Sequence, residues 1–195
     1  TTTASSPHWP HGAAAKPVTL RGAEGAVPVI ERIILIGFMA AGKSTVGRVL
    51  AERLGWEFLD FDEEIERRTG MSIAEIFEIA GEPAFRALEA ELTADIAGAR
   101  DIVLAPGGGW IKQPDLLERL GPGSLVVWLR ITPEEAVRRA RQAPTHRPLL
   151  AGPDPLERAQ LLMAEREPYY ALADVVVDVD DRTEDEIARE ILGYL

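Results

Sequence analysis

The stretch Gly37-Phe38-Met39-Ala40-Ala41-Gly42-Lys43-Ser44 constrains this chain more than any other. It fits G-x-x-x-x-G-K-[ST]. Glycines at both ends let the backbone turn tightly, so that its N–H groups converge on phosphate oxygens. The residues before it, Arg32–Ile36 (RIILI), form a continuous apolar run, as in a strand buried on both faces. The residues after it, Lys43–Leu54, place Val46, Val49, Leu50 and Leu54 on one side of a helix. A helix starting there turns its positive dipole end toward the same anion. Ala40, Ala41, Gly42, Lys43, Ser44 and Thr45 are therefore expected to bind nucleotide phosphates. Lys43 is expected to reach the β- and γ-phosphates of ATP, and the Ser44 hydroxyl to ligate Mg²⁺.

The rest of the chain repeats the strand–helix alternation. Strands are expected at Glu57–Asp60, Asp101–Ala105, Leu125–Leu129 and Val175–Val179. Helices are expected at Glu63–Thr69, from the capping box Ser72-Ile73-Ala74-Glu75 through Ala97, at Pro133–Arg141, at 155–172 and at Glu184–Leu195. This pattern predicts an α/β fold: one five-stranded parallel sheet with helices on both faces, in three layers. Ligands of such sheets bind at the carboxyl ends of the strands.

Composition narrows the partners. With 21 basic and 32 acidic residues the net charge is −11, the wrong sign for a nucleic-acid surface. No apolar run reaches the roughly 20 residues of a membrane helix. The chain has no cysteine, so disulfides and thiolate metal sites are impossible. It also has no asparagine, which excludes the N-K-x-D guanine motif. Residues 1–28 are rich in Thr, Ser, Ala, Pro and Gly and read as a disordered tail before a domain over 29–195.

Asp60-Phe61-Asp62 closes the second strand. Residues i and i+2 of a strand share a face, so both carboxylates are expected to face the site, unless the pair merely caps the next helix. Further motifs follow in order: Ile76–Glu89 containing Gly81-Glu82 and Phe85-Arg86, then Gly107-Gly108-Gly109, then Arg147-Pro148-Leu149-Leu150, then Glu165-Arg166-Glu167-Pro168-Tyr169-Tyr170. Together with the phosphate loop and the D-x-D they resemble the shikimate kinase family over about Ile33–Leu195.

That resemblance implies a P-loop kinase fold and transfer of the γ-phosphoryl of ATP to the 3-hydroxyl of shikimate. It implies that Asp62 binds the ring hydroxyls and takes the proton of the attacking one. Arg86 and Arg166 clamp the substrate carboxylate, and Gly108 and Gly109 offer backbone N–H groups beside it. Asp60 holds Mg²⁺ with Ser44. Arg147, on a lid over about residues 142–152, stabilises the transferring phosphoryl, while Arg139 and Arg182 line the adenine side. A cytoplasmic monomer is expected, with small-molecule substrates, no nucleic acid and no membrane partner. Arg86 has a second reading, as an ion-pair partner of Glu82 or Glu89, and Arg166 as one of Glu165 or Glu167. Trp110, after the triple glycine, departs from the family pattern and is either a packing residue or a narrowing of the acceptor pocket. Ala40 stands where the family often has glycine and is expected to keep φ negative. A kinase for another small hydroxy acid, gluconate-like, and a nucleotide-binding regulatory module without catalysis are the alternatives.

Overall fold

The computed structural model describes residues 29–142 and 153–195. The tail over 1–28 and most of the lid, Arg147 included, lie outside the described residues. Strands β1 (Arg32–Ile36), β2 (Glu57–Asp60), β3 (Ile102–Ala105), β4 (Ser124–Arg130) and β5 (Val175–Asp178) form one sheet in the order β2-β3-β1-β4-β5. All four pairings are parallel. Helices α1 (Lys43–Leu54), α2 (Phe61–Thr69), α3 (Ile73–Asp95), α4 (Pro114–Leu120), α5 (Pro133–Gln142), α6 (Pro155–Tyr170) and α7 (Glu184–Leu192) connect and cover the strands.

Strand β1 lies at the centre, and every one of its residues is buried. Its alternate side chains feed two different cores. Ile33 and Leu35 pack with residues of α1, α5 and α7 on one face of the sheet. Ile34 and Ile36 pack with Phe61, Ile65, Phe85 and Leu92 of α2 and α3 on the other. Such two-sided burial explains why RIILI shows no polar alternation, and it gives the three layers the sequence predicts. The connection from β1 runs to β2 on one side, and β4 continues the sheet on the other. A crevice therefore opens at the carboxyl end of β1, where such folds bind ligands. No helix among the described residues is long and apolar enough to cross a membrane.

Two local expectations need correction. Strand β2 ends at Asp60, and Phe61 already begins α2, so Asp62 is a helix residue rather than a strand partner of Asp60. Asp60 caps that helix: its carboxylate accepts the N–H of Asp62 at 3.0 Å and of Glu63 at 3.2 Å. The N-cap satisfies orphan amides, and this wins over continuing the strand. The segment between the triple glycine and β4 carries a 3-10 turn (Trp110–Lys112) and α4, neither of them expected from the sequence. The signals for α4 are Pro114 at its first position and Gly121 just past its end.

Candidate active site

The loop after β1 is shaped by what cannot fit there. A Cβ on Gly37 would stand 2.5 Å from the backbone oxygen of Leu129, so only glycine fits. Gly42 has φ 88° and caps α1. Ala40 has φ 64°, against the expected negative value. The reason is the turn: the Ala41 N–H donates to the Phe38 carbonyl at 3.2 Å, which tightens the four residues and drives Ala40 into the left-handed region. Such a conformation costs a non-glycine residue about 1–2 kcal/mol. Lys43 lies across the loop, its Nζ donating to the Gly37 carbonyl at 3.0 Å and to Phe38 at 3.2 Å. Ser44 Oγ donates to Asp60 Oδ2 at 2.5 Å. Asp60 thus does both things the sequence offered for it: one oxygen caps α2, and the other meets the phosphate-loop serine.

A cleft of about 370 Å³ joins this loop to the acceptor side. Met39, Ala40, Gly42, Lys43, Ser44 and Thr45 line one part, and Asp62, Pro106, Gly107 and Gly108 another, with Arg139 at the rim. Arg139 is held by Glu135 at 2.6 Å and by the Val179 carbonyl at 2.7 Å. Arg86, Arg166 and Arg182 do not line this cleft. Arg182 is engaged with the carbonyls of Asp178 and Glu186 and with the carboxylate of Glu190.

The triple glycine at the end of β3 is explained by the charged groups around it. A Cβ on Gly107 would lie 3.0 Å from Glu89 Oε1 and 3.3 Å from Asp62 Oδ1. One on Gly108 would lie 3.3 Å from an Arg166 nitrogen, and one on Gly109 2.4 Å from an Arg86 nitrogen. Each missing side chain makes room for a site charge. Three buried polar atoms in this group have no hydrogen-bond partner: Asp62 Oδ1, Glu89 Oε1 and Arg166 Nε. Buried polar atoms are rarely left so, and two orphan carboxyl oxygens near an orphan guanidinium N–H suit a ligand that carries both hydroxyl donors and an anionic group.

Burial pushes the Asp62 carboxyl up to about 6, with Asp60 adding to the rise and Lys43 and Arg86 opposing it. Burial likewise raises Glu89 to about 7, against the pull of Arg86. Arg86 pairs with Glu89 at 2.6 Å and with Glu82 at 2.9 Å, so the ion-pair reading of this residue is real. Arg166 does not follow its corresponding reading. It is only 7% exposed, and its guanidinium stands 5.6 Å from the centre of the Phe38 ring. Glu165 pairs instead with Lys112. Tyr170, one turn beyond Arg166, donates its hydroxyl to the Gly108 carbonyl at 2.9 Å.

Trp110 is a core residue. It is fully buried, edge-on to Phe61 at 6.1 Å, and its indole N–H donates to Thr93 at 3.0 Å. It does not line the cleft. Glu89 and Tyr170 are site residues that sequence reasoning passed over. A signal for Glu89 existed: Phe85, Glu89 and Leu92 fall at i, i+4 and i+7, and all three are buried, which marks an acid on an apolar helix face. Nothing local marked Tyr170, whose partner is 62 residues away.

The family model described as shikimate kinase matches residues 39–195. A shikimate kinase of Moorella thermoacetica is 48% identical over 159 residues, covering 82% of this chain and 91% of the relative. One of Halorhodospira halophila is 46% identical over 165 residues, covering 84% and 93%. The solved shikimate kinase of Acinetobacter baumannii, in complex with shikimate, superposes with a TM-score of 0.78 at 39% identity, covering 84% of this chain and 91% of that one. A phosphate loop joined in one cleft to a buried acid, with two arginines against the triple glycine, and this similarity along the chain lead to one conclusion: the chain belongs to the shikimate kinase family.

Proposed function

We propose that this cleft transfers the γ-phosphoryl of ATP to the 3-hydroxyl of shikimate, and that the work is divided among the residues as follows. The observation that carries the reading is Asp62. Its buried Oδ1 has no partner, and it lines the same cleft as Lys43 and Ser44. Asp62 accepts the proton of the 3-hydroxyl as that oxygen bonds to the γ-phosphorus and the bond to the leaving ADP oxygen breaks. A carboxyl raised to about 6 is ionised at neutral pH and still basic enough for this task.

Lys43 leaves the loop carbonyls and meets the β- and γ-phosphates, which the loop amides and the start of α1 hold in place. Arg86 and Arg166 meet the substrate carboxylate. Arginine suits this because its planar fork gives two parallel hydrogen bonds to a carboxylate. Gly108 and Gly109 present backbone N–H groups beside the ring. Arg139 and Arg182 belong to the adenine side. Arg147 closes over the phosphoryl and neutralises charge that builds in the transition state. Ser44 Oγ and Asp60 Oδ2, 2.5 Å apart beside the phosphate loop, are hard oxygen donors of the kind Mg²⁺ takes alongside phosphates and water. When bound there the ion neutralises charge on the phosphate oxygens. A monomer in the cytoplasm goes with this reading.

The test is ADP release in a coupled assay with and without shikimate. One ADP per shikimate consumed is expected. Release that is independent of shikimate, or faster with gluconate or another hydroxy acid, overturns the choice of acceptor.

A further inference from the structure

The residue that departs most from the family pattern sits where two acceptor-side elements meet. Trp110 has no exposed surface. Its ring meets the edge of Phe61, the residue between Asp60 and Asp62. Its indole N–H donates to Thr93 Oγ1 at 3.0 Å. The same Thr93 hydroxyl donates to the Glu89 carbonyl at 2.7 Å. The Glu89 carboxylate in turn holds Arg86 at 2.6 Å, and Gln113 reaches that carboxylate from just past the 3-10 turn at 3.4 Å. A hydroxyl is the one small group that accepts from an indole and donates to a carbonyl at once. The backbone of Trp110 is tied as well, its N–H donating to the Gly107 carbonyl at 3.0 Å.

We propose that Trp110, acting through Thr93, is a positioning residue that fixes the spacing between Asp62 on α2 and the Arg86–Glu89 pair on α3, and so sets the affinity for the acceptor acid. The proposal rests on the shikimate kinase reading above. Both side chains are buried and neither lines the cleft. Their effect passes through Phe61 to Asp62 on one side and through Glu89 to Arg86 on the other. A rigid indole suits this because its apolar body packs while its N–H bonds at a fixed direction. None of these hydrogen bonds involves the phosphate loop, and Asp60, the neighbour of Phe61, is held separately by Ser44 and the amides of Asp62 and Glu63, so the effect falls on the acceptor side.

The experiment compares Thr93→Val, Thr93→Ser and Trp110→Phe in the full-length enzyme, with KM for shikimate and for ATP measured separately. Thr93→Val keeps the volume and removes the hydroxyl. It is expected to raise KM for shikimate about three- to tenfold, the scale of one neutral hydrogen bond, with KM for ATP unchanged. Thr93→Ser keeps the hydroxyl and is expected to restore the wild-type KM. Trp110→Phe is expected to follow Thr93→Val, and the double variant to be no worse than the poorer single one, since both cut one chain of contacts. Should Trp110→Phe fail to fold, the Val and Ser variants at position 93 decide alone. Equal changes in both KM values, a Ser variant as poor as the Val variant, or no change at all overturns the proposal. Wild-type enzyme inert on shikimate sinks the proposed activity and this proposal with it; active wild type with unaltered variants sinks the proposal alone.

Discussion

Asp62 and Glu89 face the same missing side chain at Gly107, and both carboxyls are held above their ordinary range by burial. The consequence for stability has a definite sign. A carboxyl whose folded pKa is raised binds more protons in the folded state than in the unfolded one. Stability therefore falls as pH rises through the window between the two, here from about 4 to about 6 for Asp62. Asp62→Asn removes the ionisable group. It should unfold less easily than wild type above pH 6, with the difference vanishing below pH 4, as read by thermal melts across pH. The same variant should lose about 10²–10⁴ in kcat, the usual worth of a positioned base. In wild type, kcat/KM should climb as pH rises through about 6, because the base must be ionised. A variant destabilised at pH 8, or a rate indifferent to pH across that window, contradicts this account. Part of the residue-scale picture was legible in the chain and part was not. Lys43 and Ser44 stand out because the phosphate loop is a local pattern. Glu89 hides inside a motif that reads equally well as a surface ion pair, until its helical phase with Phe85 and Leu92 is considered.

Helix α3 shows how an element carries the acceptor side. It begins with a full capping box: Ser72 accepts from the Glu75 amide, and Glu75 reaches back to the Ser72 amide. It breaks at Gly81, where φ is 78° and ψ 173°, and resumes through Pro83 to carry Arg86 and Glu89. That combination of angles is essentially restricted to glycine. Gly81→Ala should cost about 1–3 kcal/mol of stability in chemical denaturation. It should also raise KM for shikimate more than KM for ATP, because the residues past the break hold Arg86. An alanine variant of wild-type stability would mean that the helix can straighten without loss. The capping box was readable because its partners are three residues apart. The break was not: the segment reads as one helix continuing into another, and the halves meet through tertiary packing, with Ile76 and Phe85 in the same core and the Phe77 and Phe85 rings 4.9 Å apart. Both carboxylates reach the site as expected, but the strand placement expected for Asp62 failed for a related reason. A short D-x-D serves a strand end and an N-cap equally well, and the amides of Asp62 and Glu63 decided between them.

At the scale of the molecule, the sheet has one end for chemistry and one for holding the chain together. The carboxyl ends of β1, β2 and β3 lead into the phosphate loop, Asp60 and the triple glycine. At the amino end of β1 stands Arg32, only 4% exposed. All five of its N–H groups are used. Nε donates to Ser124 Oγ, Nη1 to the carbonyls of Ala97 and Ala99, and Nη2 to those of Leu120 and Pro122. One side chain thus closes the turn after α3, the turn after α4 and the start of β4. Burial lowers its pKa from the usual value, yet the ring of carbonyl dipoles keeps the cation partnered. In an acidic chain with net charge −11, a cation buried this way is expensive unless it is fully satisfied. Arg32→Met keeps the apolar stem and removes every donor that four carbonyls and the Ser124 hydroxyl accept from. The loss should be about 3–5 kcal/mol of unfolding free energy, as when one partner of a buried charged cluster is deleted. Below its melting temperature the variant should keep wild-type kcat and KM for both substrates, since Arg32 touches nothing at the carboxyl end. Turnover per folded molecule, measured beside a denaturation curve, checks both halves of this expectation. A drop in kcat without loss of stability would mean that the two ends of the sheet are coupled through β1 and that the division of labour is wrong.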